Sequence, residues 1–485
     1  MKLNSCISGE EIHSGYLPIN SSGVTMHEPG KGAAGKILTS SKHISVSAGV
    51  AIVSGMVIGP GIFKTPSIVA ANSGSEFITI GLWLLGGVVS FLGALCYAEL
   101  TSTYPHAGGE YHFLTRSFGK KAAFLFAWAR MTVIQTGSIV MLSFIIGDYA
   151  SEAFHLGAYS SSIYAAITVL ILTEVNLLGL RFSSRFQMAL IGGMLIGIII
   201  IVYTGLTVAP SQTAAAFSAA GQEPGFETDL APGRAMIFVL LTYGGWNEAA
   251  YISADVSRSN KSIVKILFYS LTLITFVYII MNFSLLKGFG FRNVSASQTV
   301  AADFIQQALG RGWVNMVSLL IAISALSTVN AVMITGARTN YALGQDLRIF
   351  GFLSRWDENQ NAPKNAFLFQ SAIAFLLIIL GTATRSGFVT MVEYTAPVFW
   401  LFFLLVGITL FILRRKEPKR FRPFTVPLFP VIPVLFCLSA AYMLHSSLAY
   451  TGIGALIGII VLIAGIPFLF SKDRETEKRR KNNET

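Results

Sequence analysis

The chain has 485 residues, of which 53% are hydrophobic and only 12% charged, against roughly 25% charged residues in soluble proteins. A water-soluble fold of this length is excluded, and a membrane β-barrel is excluded too, because barrel strands alternate in polarity and would break up these long apolar runs. The net charge of +11 would suit nucleic acid, but the basic residues lie between apolar runs, which is the pattern of membrane topology.

Residues 1–43, rich in Ser, Gly and Lys, lack the short apolar core of a cleaved signal. They read as a disordered cytoplasmic tail. A spanning helix needs about 20 apolar residues, and apolar runs set against polar breaks predict twelve of them, starting near residues 44, 77, 122, 160, 186, 234, 262, 312, 365, 386, 424 and 450. An even number puts both termini on one side. With that side cytoplasmic, inside segments hold 28 Lys and Arg and outside segments 5, so the positive-inside rule places both termini in the cytoplasm of a multi-pass cell-membrane protein. The run RRKEPKRFRP at 414–423 then serves orientation and anionic-lipid contact. Residues 471–485 form a basic cytoplasmic tail.

Two predicted spans are interrupted. In the first, AGVAIVSGMVIGPGIFKTP, residues Gly55, Gly59, Pro60 and Gly61 oppose a regular helix in mid-membrane; in the sixth, MIFVLLTYGGWNEAAY, Gly244 and Gly245 do so. Glycines of this kind also serve close helix packing. Unwound backbone at membrane depth is tolerated only where it is buried or lines a polar cavity. Half-helix N-termini suit a carboxylate and exposed carbonyls suit an ammonium or small cation, a pairing that matches an amino acid zwitterion. Breaks five spans apart point to a five-plus-five inverted repeat.

The segments GMVIGPGIFKTP, GALCYAEL, TYPHAGGEYHFL, TYGGWNEAAY and RRKEPKRFRPFTVPLFPVIP together resemble the amino acid, polyamine and organocation superfamily of permeases, and most of all the L-type amino acid transporters and their bacterial relatives, over roughly residues 44–470. The resemblance implies an all-α LeuT-like fold with twelve transmembrane helices. Repeat one is 44–209, repeat two 233–414, and two peripheral helices follow at 424–470. It also implies alternating access around a central amino acid site. By motif, Gly59, Gly61 and Ile62 receive the substrate carboxylate, while Val57 and Ile58 offer carbonyls to its amino group together with Leu241, Thr242, Tyr243 and Gly244.

Four departures and correspondences qualify that picture. Pro60 has no N–H, which moves the carboxylate contact onto Gly61 and Ile62. Leu241 stands where L-type transporters carry an aromatic gate. Met194 stands where sodium-independent relatives carry a lysine in the fifth span. Ser327 and Thr328 in the eighth span resemble the hydroxyl pair of a sodium site completed by carbonyls near Val53 and Met56; such hydroxyls also cap their own helix. Sodium or a proton is the expected coupling ion, and no cofactor is expected.

Ionisable residues inside spans are candidates for function. Glu248 would accept a proton, bind a cationic group or form a structural pair with Arg130 of the third span. Asn247 would touch substrate or tie the half-helices together, and Gln135, Thr136 and Ser138 would line the pocket or glue helices. Glu99 and Asp255 are expected to anchor gates or loops.

His106, Glu110 and His112 have a spacing that could suit a metal, but Gly108 and Gly109 intervene and no cysteine joins them; the resemblance implies that this first cytoplasmic loop is an interfacial hinge. No Walker loop, nucleophile elbow or HExxH motif indicates an enzyme. The reading is an amino acid transporter, a symporter or exchanger, with a non-transporting sensor or a carrier of cationic amino acids or polyamines as alternatives. The loop at 151–160 has no cysteine, so the resemblance carries no disulfide-linked accessory subunit.

Overall fold

The computed structural model describes residues 45–470 except 107, 179, 208–230, 254–255, 257–261, 347, 358–361 and 450–451. The two tails, Cys6 and Asp255 lie outside the described residues. The chain divides at residue 43, and everything below concerns the unit that begins at Ile44.

Each predicted apolar segment contains a helix. In chain order these are α1 (Val46–Val57), α2 (Gly61–Ala71), α3 (Glu76–Thr103), α4 (Gly109–Phe118), α5 (Lys120–Ala129), α6 (Gln135–Ala153), α7 (Ser160–Leu177), α8 (Leu180–Thr207) and α9 (Pro232–Thr242). There follow α10 (Ala249–Ile252), α11 (Ser262–Phe289), α12 (Phe291–Ala296), α13 (Val300–Leu309), α14 (Arg311–Asp346), α15 (Lys364–Ala383), α16 (Gly387–Lys416), α17 (Val431–Ala449) and α18 (Ile453–Ile463). Among the described residues, eight helices are long and apolar enough to cross a membrane, and α1 with α2 makes a ninth span bent by 52°. Shorter apolar helices occur at Gly193–Thr207 and Ile453–Leu469. The protein is thus an all-helical, multi-pass membrane protein.

Local chemistry sets the ends. Ser45 and Ser75 accept from the N–H groups of Ala48 and Ile78, capping α1 and α3. The helix of the eleventh predicted span, α17, begins at Val431, later than the expected 424. Pro423, Pro427 and Pro430 precede it, and each lacks the N–H that a helix interior needs.

The buried centre comes from α1, α6, α9, α11 and α14, where α14 packs on α6 and α8, and α11 on α1 and α3. Large apolar side chains stay exposed on the outer helix faces, such as Leu84 and Leu85 on α3, Phe268 and Phe276 on α11, and Leu376 and Ile379 on α15. Outward apolar faces of this kind suit hydrocarbon, where no hydrophobic penalty attaches to them.

Candidate substrate site

The first span breaks between Val57 and Gly61. Ile58 still donates to Ser54 O at 2.8 Å, after which its backbone turns extended (φ −70°, ψ 95°). Ile62 N reaches Gly59 O only at 3.4 Å, and among the described residues no backbone acceptor meets the N–H of Gly59 or Gly61. Free donors at a helix start are the anion-seeking ends of that helix. Gly55 belongs to α1 rather than to the break, with open space where a Cβ would go; a single glycine inside a helix weakens it without interrupting it.

The sixth span breaks after Thr242. Gly245 adopts φ +112°, which side chains with a Cβ rarely tolerate, and an added Cβ would lie 3.1 Å from Met56 O. The chain resumes as a single tight turn, Trp246–Glu248, and then α10. The two breaks therefore meet, Gly245 against Met56 and Val57, and Thr242 against Gly61. Thr242 Oγ1 also donates to Thr65 Oγ1 at 2.9 Å, joining α9 to α2.

One side chain holds both breaks at once. The hydroxyl of Tyr278, buried on α11, is shared between Val57 O at 2.8 Å and Thr242 O at 2.9 Å. The carbonyls expected to face a substrate amino group at Val57 and Thr242 thus already have a donor, and Leu241 O accepts from Gly244 N at 3.0 Å. Each carbonyl keeps a second lone pair. Tyr243 turns its side chain away from the breaks and donates to Trp83 O on α3 at 3.0 Å. Leu241 is only partly buried.

Just past the sixth-span break lies a polar cluster. A terminal nitrogen of Arg130 donates to both carboxylate oxygens of Glu248 at 2.9 Å, and its other terminal nitrogen stands 3.8 Å from Glu110 Oε2. Arg130 occupies a π-helical turn, Arg130–Ile134, between α5 and α6, a local widening often found at functional positions. Glu110 accepts from Tyr97, Asn247 and Tyr251, while Arg130 stacks over the Tyr251 ring at 4.5 Å. Asn247 also accepts from Gly245 N at 3.3 Å. It thereby ties the turn to the loop helix α4.

Two carboxylates share one guanidinium here, so the cluster lacks one positive charge. Burial holds the Glu110 carboxyl above the usual carboxylate range, against the pull of Arg130 and the Tyr97 hydroxyl. On the same loop helix, burial and the stacked His106 ring at 4.2 Å push His112 down to about 4. Among the described residues no group of His, Cys, Asp and Glu could hold a metal.

The remaining expected residues fall in several places. Gln135 donates to Thr335 Oγ1 at 3.1 Å, and its own buried carbonyl oxygen has no partner among the described residues. Thr136 and Ser138 donate to carbonyls one turn back in their own helix. The Thr328 hydroxyl lies 3.6 Å from where a Cβ of Gly59 would be and reaches Ser324 O at 3.3 Å. Val53 and Ser327 are buried, as is Met194 on α8. Glu99 pairs with Arg414, stands 3.4 Å from Arg422 Nε, and accepts from Val426 N. Arg116 and Arg420 pair with Glu417. Part of the basic run at 414–423 is therefore held by carboxylates of the protein itself.

A family model described as amino acid permease matches residues 44–472. The chain belongs to that family. Among its relatives, the mouse "Large neutral amino acids transporter small subunit 2" is 27% identical over 439 residues, covering 88% of this chain and 80% of the relative. The mouse "b(0,+)-type amino acid transporter 1" is 29% identical over 411 residues, covering 82% and 81%. The mouse "Asc-type amino acid transporter 1" is 27% identical over 443 residues, covering 88% and 81%. The permease is a member of an amino acid transporter family and not an enzyme.

Two residues of this permease site escaped the sequence reading. Tyr278 carried a signal, since a phenol inside the apolar seventh span needs a polar partner. Glu110 lies in a segment whose sequence reads as a hinge loop. Its neighbours Tyr97, Arg130 and Asn247 come from three other segments, and nothing in the loop announces them.

Proposed function

We propose that the permease is a secondary active transporter, a symporter or exchanger, that moves amino acids across the cell membrane by alternating access, with neutral amino acids as its main substrates. The observation that supports this most is the meeting of the two breaks, Gly61 against Thr242 and Gly245 against Met56 and Val57, with no backbone acceptor among the described residues at the N–H of Gly59 or Gly61. Free donors at one half-helix and carbonyls at the other are the complement of a zwitterion. Gly59, Gly61 and Ile62 take the carboxylate. The carbonyls of Val57, Ile58 and Leu241 to Tyr243 take the amino group.

The breaks in the first and sixth spans support twelve spans in a five-plus-five inverted repeat, with repeats at 44–209 and 233–414, peripheral helices at 424–470 and both termini cytoplasmic. Sodium held by Ser327, Thr328 and the carbonyls of Val53 and Met56, or a proton on the Glu110–Glu248 cluster, is the coupling ion in this reading. Glu248 is already engaged by Arg130, which favours neutral over cationic substrates. One relative is named a small subunit. In this chain Cys96 is buried, Cys437 is half-buried, and the loop at 151–160 has no cysteine, so any partner subunit associates without a disulfide there.

The test is counterflow in proteoliposomes with a panel of labelled amino acids, with and without sodium and a pH gradient. Accumulation of a neutral amino acid against unlabelled internal substrate supports the reading. Binding without flux would make the protein a sensor, and flux confined to cationic amino acids or polyamines would overturn the substrate assignment.

A further inference from the structure

A cavity of about 440 Å³ lies on the face where Arg234 and Arg385 sit, away from both breaks. Its size falls within the range of small-molecule sites. Lys64 of α2, Asp148 of α6, Arg234 in the first turn of α9 and Arg385 just before α16 bring charge to its wall. Lys64 donates to Asp148 Oδ2 and to Gln298 O, both at 2.7 Å, so ammonium and carboxylate cancel.

The two arginines are left over. Among the described residues neither guanidinium has a hydrogen-bond or ion-pair partner, although the field of Arg234 reaches the Glu393 carboxylate. Arg385 holds a left-handed backbone, φ +57°, a conformation that costs a non-glycine residue about 1–2 kcal/mol. Among the described lining residues, two positive charges are thus in excess. Lys64 stands three residues beyond Gly61, so α2 runs from the first-span break to the wall of the cavity.

We propose that this cavity is a carboxylate-binding vestibule, in which Arg234 and Arg385 capture the amino acid by its carboxylate before it reaches the Gly59–Gly61 break. This inference rests on the transport reading above and on the outward placement of the face by the positive-inside count. The same chemistry would hold an inorganic anion, and the experiment separates the two sources.

The purified full-length permease is melted in detergent with sodium acetate replacing sodium chloride at constant ionic strength. Acetate should raise the melting temperature of the wild type and leave the double variant Arg234→Gln, Arg385→Gln unmoved. In proteoliposomes, the double variant should raise the KM for labelled leucine or alanine about tenfold, equivalent to about 1.4 kcal/mol, with kcat retained. The wild-type KM should rise with ionic strength, and the double variant should lose that dependence. Arg234→Lys with Arg385→Lys should restore most of the affinity, which a purely structural role would not do. Unchanged KM in a transporting double variant overturns the vestibule, as does equal stabilisation by chloride and acetate. Acetate stabilisation without flux of any amino acid supports the anion site and overturns the transport reading alone.

Discussion

Arg130 grips both oxygens of Glu248 at 2.9 Å, linking the widened turn of the third span to the residue just past the sixth-span break. The relationship matters because a second carboxylate, Glu110, leans on the same guanidinium. Removing one member of a buried ion pair strands its partner, at a cost of about 3–5 kcal/mol.

Arg130→Met leaves the buried Glu110 and the half-buried Glu248 without a counter-charge, whereas Glu248→Gln leaves a one-to-one pair of Arg130 with Glu110. Thermal unfolding in detergent should therefore show a much larger loss for Arg130→Met than for Glu248→Gln. Equal losses would mean that the three groups do not act as one cluster.

Tyr278→Phe removes the donor shared by Val57 O and Thr242 O and keeps the ring packed against Trp83 and Tyr243. The loss should be about 1–2 kcal/mol of stability, the cost of buried acceptors losing a partner. Amino acid uptake should fall by more than the fraction unfolded explains, since the two breaks lose their common tether. Uptake at the wild-type rate would show that the tether does not hold the site.

Gly245→Ala forces a Cβ onto a backbone at φ +112° and to within 3.1 Å of Met56 O, which should cost about 1–3 kcal/mol. Gly55→Ala places its Cβ in open space within α1 and should be neutral or slightly stabilising. Transport assays of the two variants at matched expression check the contrast. A tolerant Gly245 would remove the sixth-span break from the site.

Burial holds the Glu110 carboxyl above the usual carboxylate range, so the folded state favours its protonated form. The stabilisation this gives is fully present below the unfolded carboxyl value, near 4.5, and is lost as pH rises through the higher folded value. Melting temperature followed upward from pH 4.5 should fall across that window, and Glu110→Gln should flatten the fall. An unchanged slope in the variant would place the titration elsewhere.

Thr328→Val keeps the volume and removes the hydroxyl that faces Gly59. If sodium drives uptake, the variant should lose sodium stimulation while still exchanging substrate. Sodium stimulation of wild-type size in the variant would remove Thr328 from the ion site.

Much of this was legible without coordinates because it depends on neighbours in the chain. Apolar run length decides that the chain enters lipid, and Gly59, Pro60, Gly61, Gly244 and Gly245 interrupt their helices through their own backbone chemistry. Glu248 and Arg130 stand out in the sequence as rare charges inside spans, and they pair. Gly55 misled because a glycine weakens a helix only by degree, and neighbouring packing decides whether it breaks.

What the tertiary structure alone decided is where distant groups meet: Tyr278 with both breaks, Glu110 with Arg130 and Asn247, and Arg234 with Arg385 around one cavity. Each of these encounters joins residues from segments far apart in sequence. Hydropathy and helix propensity are local properties, and they carry no record of which face of one helix turns toward another.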